Sequence, residues 1–247
     1  MGAEGVTDPR PAFYALRSGG WRDYWTLLHP PYTAWHLSYV AIGACVATHF
    51  DGARLGATVL AFFLAVGLTA HALDELSGRP LGTRIPDGVL WAIAAVGLVG
   101  AVAIGVIGAV KVSWWLLAFV GVGAFGVVAY NLELAGGWFH SDLWFALMWG
   151  AFPALTATFA QDEAIRFPGV LAAAACLLLS AAQRTLSTPV RMLRRRAVRV
   201  SGELELADGS VRPVDEGFLR HAPEQALSTL SLAVPLLAGS LVAFRLS

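Results

Sequence analysis

Three polar groups fall close together in Thr69-Ala70-His71-Ala72-Leu73-Asp74-Glu75-Leu76-Ser77-Gly78. His71, Asp74 and Glu75 stand at i, i+3 and i+4, the spacing that puts side chains on one face of a helix. Two carboxylates and an imidazole so placed could converge on a divalent cation or on protonated substrate atoms. The alternative is that Asp74 and Glu75 lie in water and pair with Arg79 or Arg84. Those arginines follow in the Gly/Pro-rich turn Gly78-Arg79-Pro80-Leu81-Gly82-Thr83-Arg84-Ile85-Pro86-Asp87. A guanidinium binds phosphate oxygens bidentately, so both are anion ligands as readily as ordinary basic loop residues. A third polar stretch, Tyr130-Asn131 through His140-Ser141-Asp142, holds no Lys or Arg and is rich in acceptors. It suits a cation or a polar head group, with His140-x-Asp142 a weak metal signature. A fourth opens Gln183-Arg184-Thr185-Leu186-Ser187-Thr188-Pro189 and runs on to Arg191, Arg194, Arg195 and Arg196. His29 and His36 read as capping or core groups. Cys45 and Cys176, both inside apolar runs, offer neither a disulfide framework nor a cysteine zinc site.

The elements that must position these groups are set by composition. In 247 residues, 57% are hydrophobic and 14% charged, against roughly 25% charged in a soluble globule. Mean hydropathy is +0.63. Apolar runs long enough to cross a ~30 Å hydrocarbon core separate the charges, which predicts a polytopic membrane protein. Seven spans are expected, near 32–50, 54–73, 88–109, 113–132, 143–160, 164–183 and 227–245. They must be helical, because a segment in lipid has to satisfy its own backbone hydrogen bonds. A barrel is excluded, since barrel strands alternate apolar with polar residues. The organisation expected is a segment over 1–31, a six-helix core over 32–183, a basic soluble loop over 184–226 and a last helix over 227–247. The bias of Lys and Arg puts the N-terminus and the basic loop in the cytoplasm, with the chain in the inner membrane. Within the loop, alternation around Asp208-Gly209 predicts a β-hairpin, and its arginines suit anionic lipid. The first 30 residues lack an apolar core, so no cleavable signal peptide is expected. Zero net charge argues against a nucleic-acid partner.

The pattern resembles the UbiA-type superfamily of intramembrane aromatic prenyltransferases. In that family the loop after the second helix carries an Asp-rich motif followed by Arg-Pro-Leu-x-x-Gly-x-Ile, and Arg79-Pro80-Leu81-Gly82-Thr83-Arg84-Ile85 looks like a shortened form of that tail. Tyr130 and Trp149-Gly150-Ala151-Phe152-Pro153 are similar to the family's fourth loop and fifth helix. The resemblance covers about residues 29–196. It implies an all-α, UbiA-like helix bundle around a cavity that takes an isoprenoid diphosphate, with prenyl transfer or terpene-type cyclisation as the reaction. It further implies Asp74 and Glu75 as catalytic groups, Mg2+ held by His71, Asp74 and Glu75, and substrate contacts from Arg79, Arg84, Tyr130, Asn131, Gln183 and Arg184. The sequence departs from the family where the second Asp cluster belongs. Arg184 and Arg191 stand there, and Arg79, Arg84 and Arg184 are expected to replace the second ion in part by binding diphosphate oxygens directly. Seven spans, where the family commonly has nine, lead to the expectation of a homodimer completing the chamber wall. Two other readings stay open. One is a non-catalytic relative that binds a lipid or quinone, or scaffolds a partner. The other is a transporter or a metalloenzyme using His71, Asp74, Glu75, His140 and Asp142.

Overall fold

Capping residues and prolines set where several of the apolar runs begin as helices. The computed structural model describes residues 10–247. Helix α1 (Trp21–Leu27) precedes α2 (Pro30–Cys45), whose first turn is fixed by Pro30 and Pro31. The Asp51 carboxylate accepts from the backbone N–H of Ala53 and Arg54 and so starts α3 (Gly52–Phe62). That rod runs through a π-helical stretch, Phe63–Ala70, into α4 (His71–Leu76). Next come α5 (Asp87–Lys111) and α6 (Leu116–Asn131). Ser141 caps α7 (Asp142–Phe145), which continues through a second π-helical stretch, Ala146–Ala151, into α8 (Phe152–Asp162). Helix α9 (Phe167–Arg195), the antiparallel strands β1 (Gly202–Glu205) and β2 (Val211–Val214), and α10 (Glu216–Leu246) complete the described chain.

Five rods are long and apolar enough to cross a membrane: Gly52–Leu76, Asp87–Lys111, Asp142–Asp162, Phe167–Arg195 and Glu216–Leu246. The sequence led us to expect seven spans. The other two regions form the shorter helices α2 and α6, of 16 residues each, about 24 Å at 1.5 Å per residue. The soluble segment is also shorter than the expected 184–226. Helix α9 carries on to Arg195 and α10 begins at Glu216, so Arg184, Arg191, Arg194 and Arg195 ride on a helix. The hairpin is where the alternation put it, with Gly209 at φ 79° in its turn.

Two apolar cores share the second π-helical rod. One joins Val66, Ala70 and Leu73 to Leu90 and Ala94 of α5, Val127 and Tyr130 of α6, and Trp149. The other joins Trp35 and Tyr39 of α2 to Ala154, Cys176 of α9, and Leu227 and Val234 of α10. Helices approach closely at two glycines. A Cβ on Gly43 would collide with the backbone of Ala154, and one on Gly150 with the carbonyl of Cys176. The rods run alternately between two faces. One, here the N-terminal face, carries α1, the 77–86 and 132–141 loops and the hairpin. On the far face, Asp162 accepts from the backbone N–H of Thr48 and His49, and Arg245 donates to the carbonyl of Ala47.

Candidate functional site

The π-helical stretches and Pro153 break the regular ladder, and side chains of the site take up what they release. Proline has no N–H to offer the carbonyl four residues back. For Pro153 that is the carbonyl of Trp149, which accepts instead from Nδ1 of His36 at 2.9 Å. At the end of the first π-helical stretch the His71 N–H turns to the carbonyl of Leu68, and the His71 side chain meets the carbonyl of Gly67 through Nδ1 at 3.2 Å. His140 does the same toward the carbonyl of Tyr130 at 3.1 Å. A carbonyl only accepts, so Nδ1 carries the proton in all three and Nε2 presents a lone pair.

Around these imidazoles a polar cluster forms at the N-terminal face. His29 sits just before α2 in the left-handed region, φ 46°, a conformation uncommon outside glycine. Its Nδ1 lies 2.6 Å from the Tyr14 hydroxyl, its ring stacks on His71 at 4.3 Å, and its buried Nε2 has no hydrogen-bond partner among the described residues. Burial pushes the His29 imidazole well below its ordinary value, helped by His71, Arg195 and Arg191. Burial likewise raises the Tyr14 phenol, with Tyr32 adding to it and Arg195 opposing. Asp74 is the cluster's carboxylate. The charges that act on it are Arg195 and Arg191 of α9, His140, and Glu75 beside it, yet no group among the described residues hydrogen-bonds its side chain or pairs with it. The charges that act on Arg191 in turn include those of Arg184, Arg195 and Asp74. Among the described residues its side chain makes one hydrogen bond, a long 3.4 Å approach to the Thr188 hydroxyl.

An aromatic layer lies beneath. Tyr130 stacks on His140 at 4.4 Å and meets Trp149 at 4.5 Å, and Phe145 stacks on Trp149 at 5.9 Å. Arg184 lies over the Phe145 ring while its Nε donates to Asp142 at 2.7 Å.

Of the residues expected from sequence, His71, Asp74, Tyr130 and Arg184 come together here. Glu75 does not. It is fully buried and turned beneath the 77–86 loop, accepting from the N–H of Leu81 at 3.0 Å and from the N–H and hydroxyl of Thr83 at 2.9 and 2.8 Å. Arg79 donates to the carbonyls of Thr83 and Ile85 and pairs with Asp87, so it pins its own loop. Arg84 is exposed, and its backbone N–H donates to Asp23. Asn131 is buried and bonded to the Val127 carbonyl. Gln183 is buried with Oε1 unpartnered. Among the described residues no group of three His, Cys, Asp or Glu side chains is arranged to hold a metal ion. Sequence reasoning missed Tyr14, His29, Tyr32, Arg191 and Arg195 as members. The spacing of Arg184, Arg191 and Arg195, at i, i+7 and i+11, was the available signal, because it follows one stripe of a continuous helix.

The depressed His29 imidazole has a consequence for stability. The folded state binds a proton on His29 less readily than the unfolded chain does. Its contribution is therefore whole above the unfolded value of about 6.5 and is lost as pH falls below it, by up to about 1.4 kcal/mol per pH unit. Thermal unfolding of the purified protein should show a falling midpoint between pH 7.5 and 5.5. His29→Asn, which tolerates the left-handed conformation, should flatten that fall. Comparison of this chain with protein-family models, with curated proteins and with solved structures found no match.

Proposed function

We propose that the protein is an integral inner-membrane protein, crossing seven times with the N-terminal face in the cytoplasm. It acts on an isoprenoid diphosphate or a related lipid whose anionic head enters the polar cluster. The observation that carries this reading is the stripe of Arg184, Arg191 and Arg195 on α9, of which Arg191 and Arg195 act on an Asp74 that has no partner among the described residues, above an aromatic layer. Such a site has an excess of guanidinium donors, and guanidinium binds phosphate oxygens in pairs. When the allylic carbon–oxygen bond breaks, the electron pair leaves with the diphosphate, and the arginines stabilise its growing charge. The faces of Tyr130, Phe145 and Trp149 attract the carbocation left behind. An aromatic acceptor, or a double bond of the same chain, forms the new bond. The proton then released has Nε2 of His71 or His140 within the cluster to accept it.

Magnesium requires oxygen ligands and commonly takes one or two carboxylates plus substrate phosphates. With Glu75 committed to its loop, Asp74 is the oxygen donor left for one ion, which would add charge neutralisation to that of the arginines. Following diphosphate release from farnesyl or geranylgeranyl diphosphate tests the reading. Asp74→Ala should lower turnover at least roughly a hundredfold, within the range for loss of an essential charged group. Unchanged turnover would put the site elsewhere. The committed Glu75 favours a second reading, a non-catalytic lipid- or quinone-binding or partner-scaffolding membrane protein, in which the same lipid binds and no product forms.

A further inference from the structure

On the far half of the bundle an apolar cavity of about 580 Å³ lies between α3 and the first π-helical stretch, α5, α6 and α8. It exists because the facing helices present small residues there, among them Ala57, Ala61, Ala101 and Ala124. Counting about 30 Å³ per methylene, as for a water molecule, it has room for a chain of about 20 carbons. Met148 and Trp149 are part of its lining, and Trp149 belongs to the aromatic layer under the polar cluster. At its outer end lies Lys111. From Leu98 to Lys111 along α5 the lining covers about 20 Å, about two-thirds of the ~30 Å hydrocarbon thickness.

Lys111 is the only lysine in the chain. The other cations of the far face are committed: Arg54 to Glu163, Arg166 to Asp162, and Arg245 to the Ala47 carbonyl. Lys111 is exposed and, among the described residues, has no acidic partner. Trp114 and Trp115, both strongly exposed, come after it beyond Val112 and Ser113, and tryptophan in such a position marks the depth of lipid head groups.

We propose that this cavity takes one hydrocarbon chain of an anionic membrane lipid whose head pairs with Lys111 on the far face. It is a second lipid site, independent of the polar cluster and of the reading given for it. Charge complementarity selects the head, and the length of the apolar lining selects a single long chain.

A single lysine makes the test direct. The purified protein is treated with an amine-reactive ester in micelles carrying dioleoylphosphatidylglycerol or dioleoylphosphatidylcholine, and modification of the Lys111 peptide is followed by mass spectrometry. Phosphatidylglycerol should slow modification about fivefold relative to phosphatidylcholine, the factor expected for one cation at a head group. Ala61→Phe, which fills the cavity, should remove that difference, and Ala101→Leu supplies a milder filling should the larger ring prevent folding. Arg191→Ala, which alters the other site, should leave it unchanged, so failure here is distinguishable from failure of the proposed function. Equal protection by both lipids, or protection that survives filling, overturns the proposal. So does a lipid-free dimer that shields Lys111, since a second copy would then occupy the groove.

Discussion

Arg191→Ala should weaken binding of farnesyl diphosphate by roughly fiftyfold, because a partly buried charge-assisted hydrogen bond is worth about 2–3 kcal/mol and each 1.4 kcal/mol is tenfold. Arg191 is the arginine of the stripe with the least to do inside the protein. Arg184 is bonded to Asp142 and Arg195 donates to the Pro11 carbonyl, whereas Arg191 feels two other arginines and a carboxylate, Asp74, that has no partner among the described residues. Its removal should therefore leave the melting midpoint in place or raise it slightly, through relief of like-charge repulsion. Arg191→Lys should recover only part of the affinity, since an ammonium lacks the paired geometry of guanidinium. Titration of detergent-purified protein, with the thermal midpoint measured alongside, checks all three statements. Loss of affinity accompanied by loss of fold would mean that Arg191 is structural.

Glu75→Ala should have the opposite signature, a loss of about 3–5 kcal/mol in stability. Removing the carboxylate leaves the N–H groups of Leu81 and Thr83 and the Thr83 hydroxyl facing nothing in a buried place, at about 1–3 kcal/mol for each unsatisfied group. The 77–86 loop holds α1 through the bond from the Arg84 N–H to Asp23, so loosening it also loosens the segment that brings Tyr14 and His29 to the cluster. Glu75→Gln offers little rescue, because its amide nitrogen would confront donors where the carboxylate offered acceptors. Denaturation of the variant in detergent measures the effect. A Glu75→Ala protein that melts like the parent and loses only a magnesium-dependent activity would return Glu75 to the metal.

The apolar runs made most of the helices legible. The expected spans near 54–73, 88–109 and 143–160 correspond to Gly52–Leu76, Asp87–Lys111 and Asp142–Asp162. Where the reading fell short, polarity hid helicity. After Ser180 the residues of α9 turn polar and basic, which reads as loop, but a helix tolerates such residues while its buried face, here Gln183, Ser187, Val190 and Leu193, stays packed. The same error concealed Arg191 and Arg195 as site residues. Helical spacing put His71, Asp74 and Glu75 on one face, yet the Glu75 carboxylate is taken up by Leu81 and Thr83 of the loop. Spacing alone could not foresee that the loop after α4 folds back on Glu75 and leaves Asp74 alone. Tyr14 and His29 were out of reach for a different reason. Their place depends on a left-handed turn at a histidine and on contacts across separate elements, and neither leaves a periodic trace.

The measurement that bears most directly on the central claim is the affinity of the parent protein for farnesyl diphosphate against farnesol, two ligands with one tail. If the arginine stripe reads the head group, the diphosphate binds at least roughly a hundredfold more tightly, about 2.7 kcal/mol, and Arg191→Ala narrows the gap. Equal affinities, with no response to Arg191→Ala, would show that the polar cluster is not where the lipid is recognised.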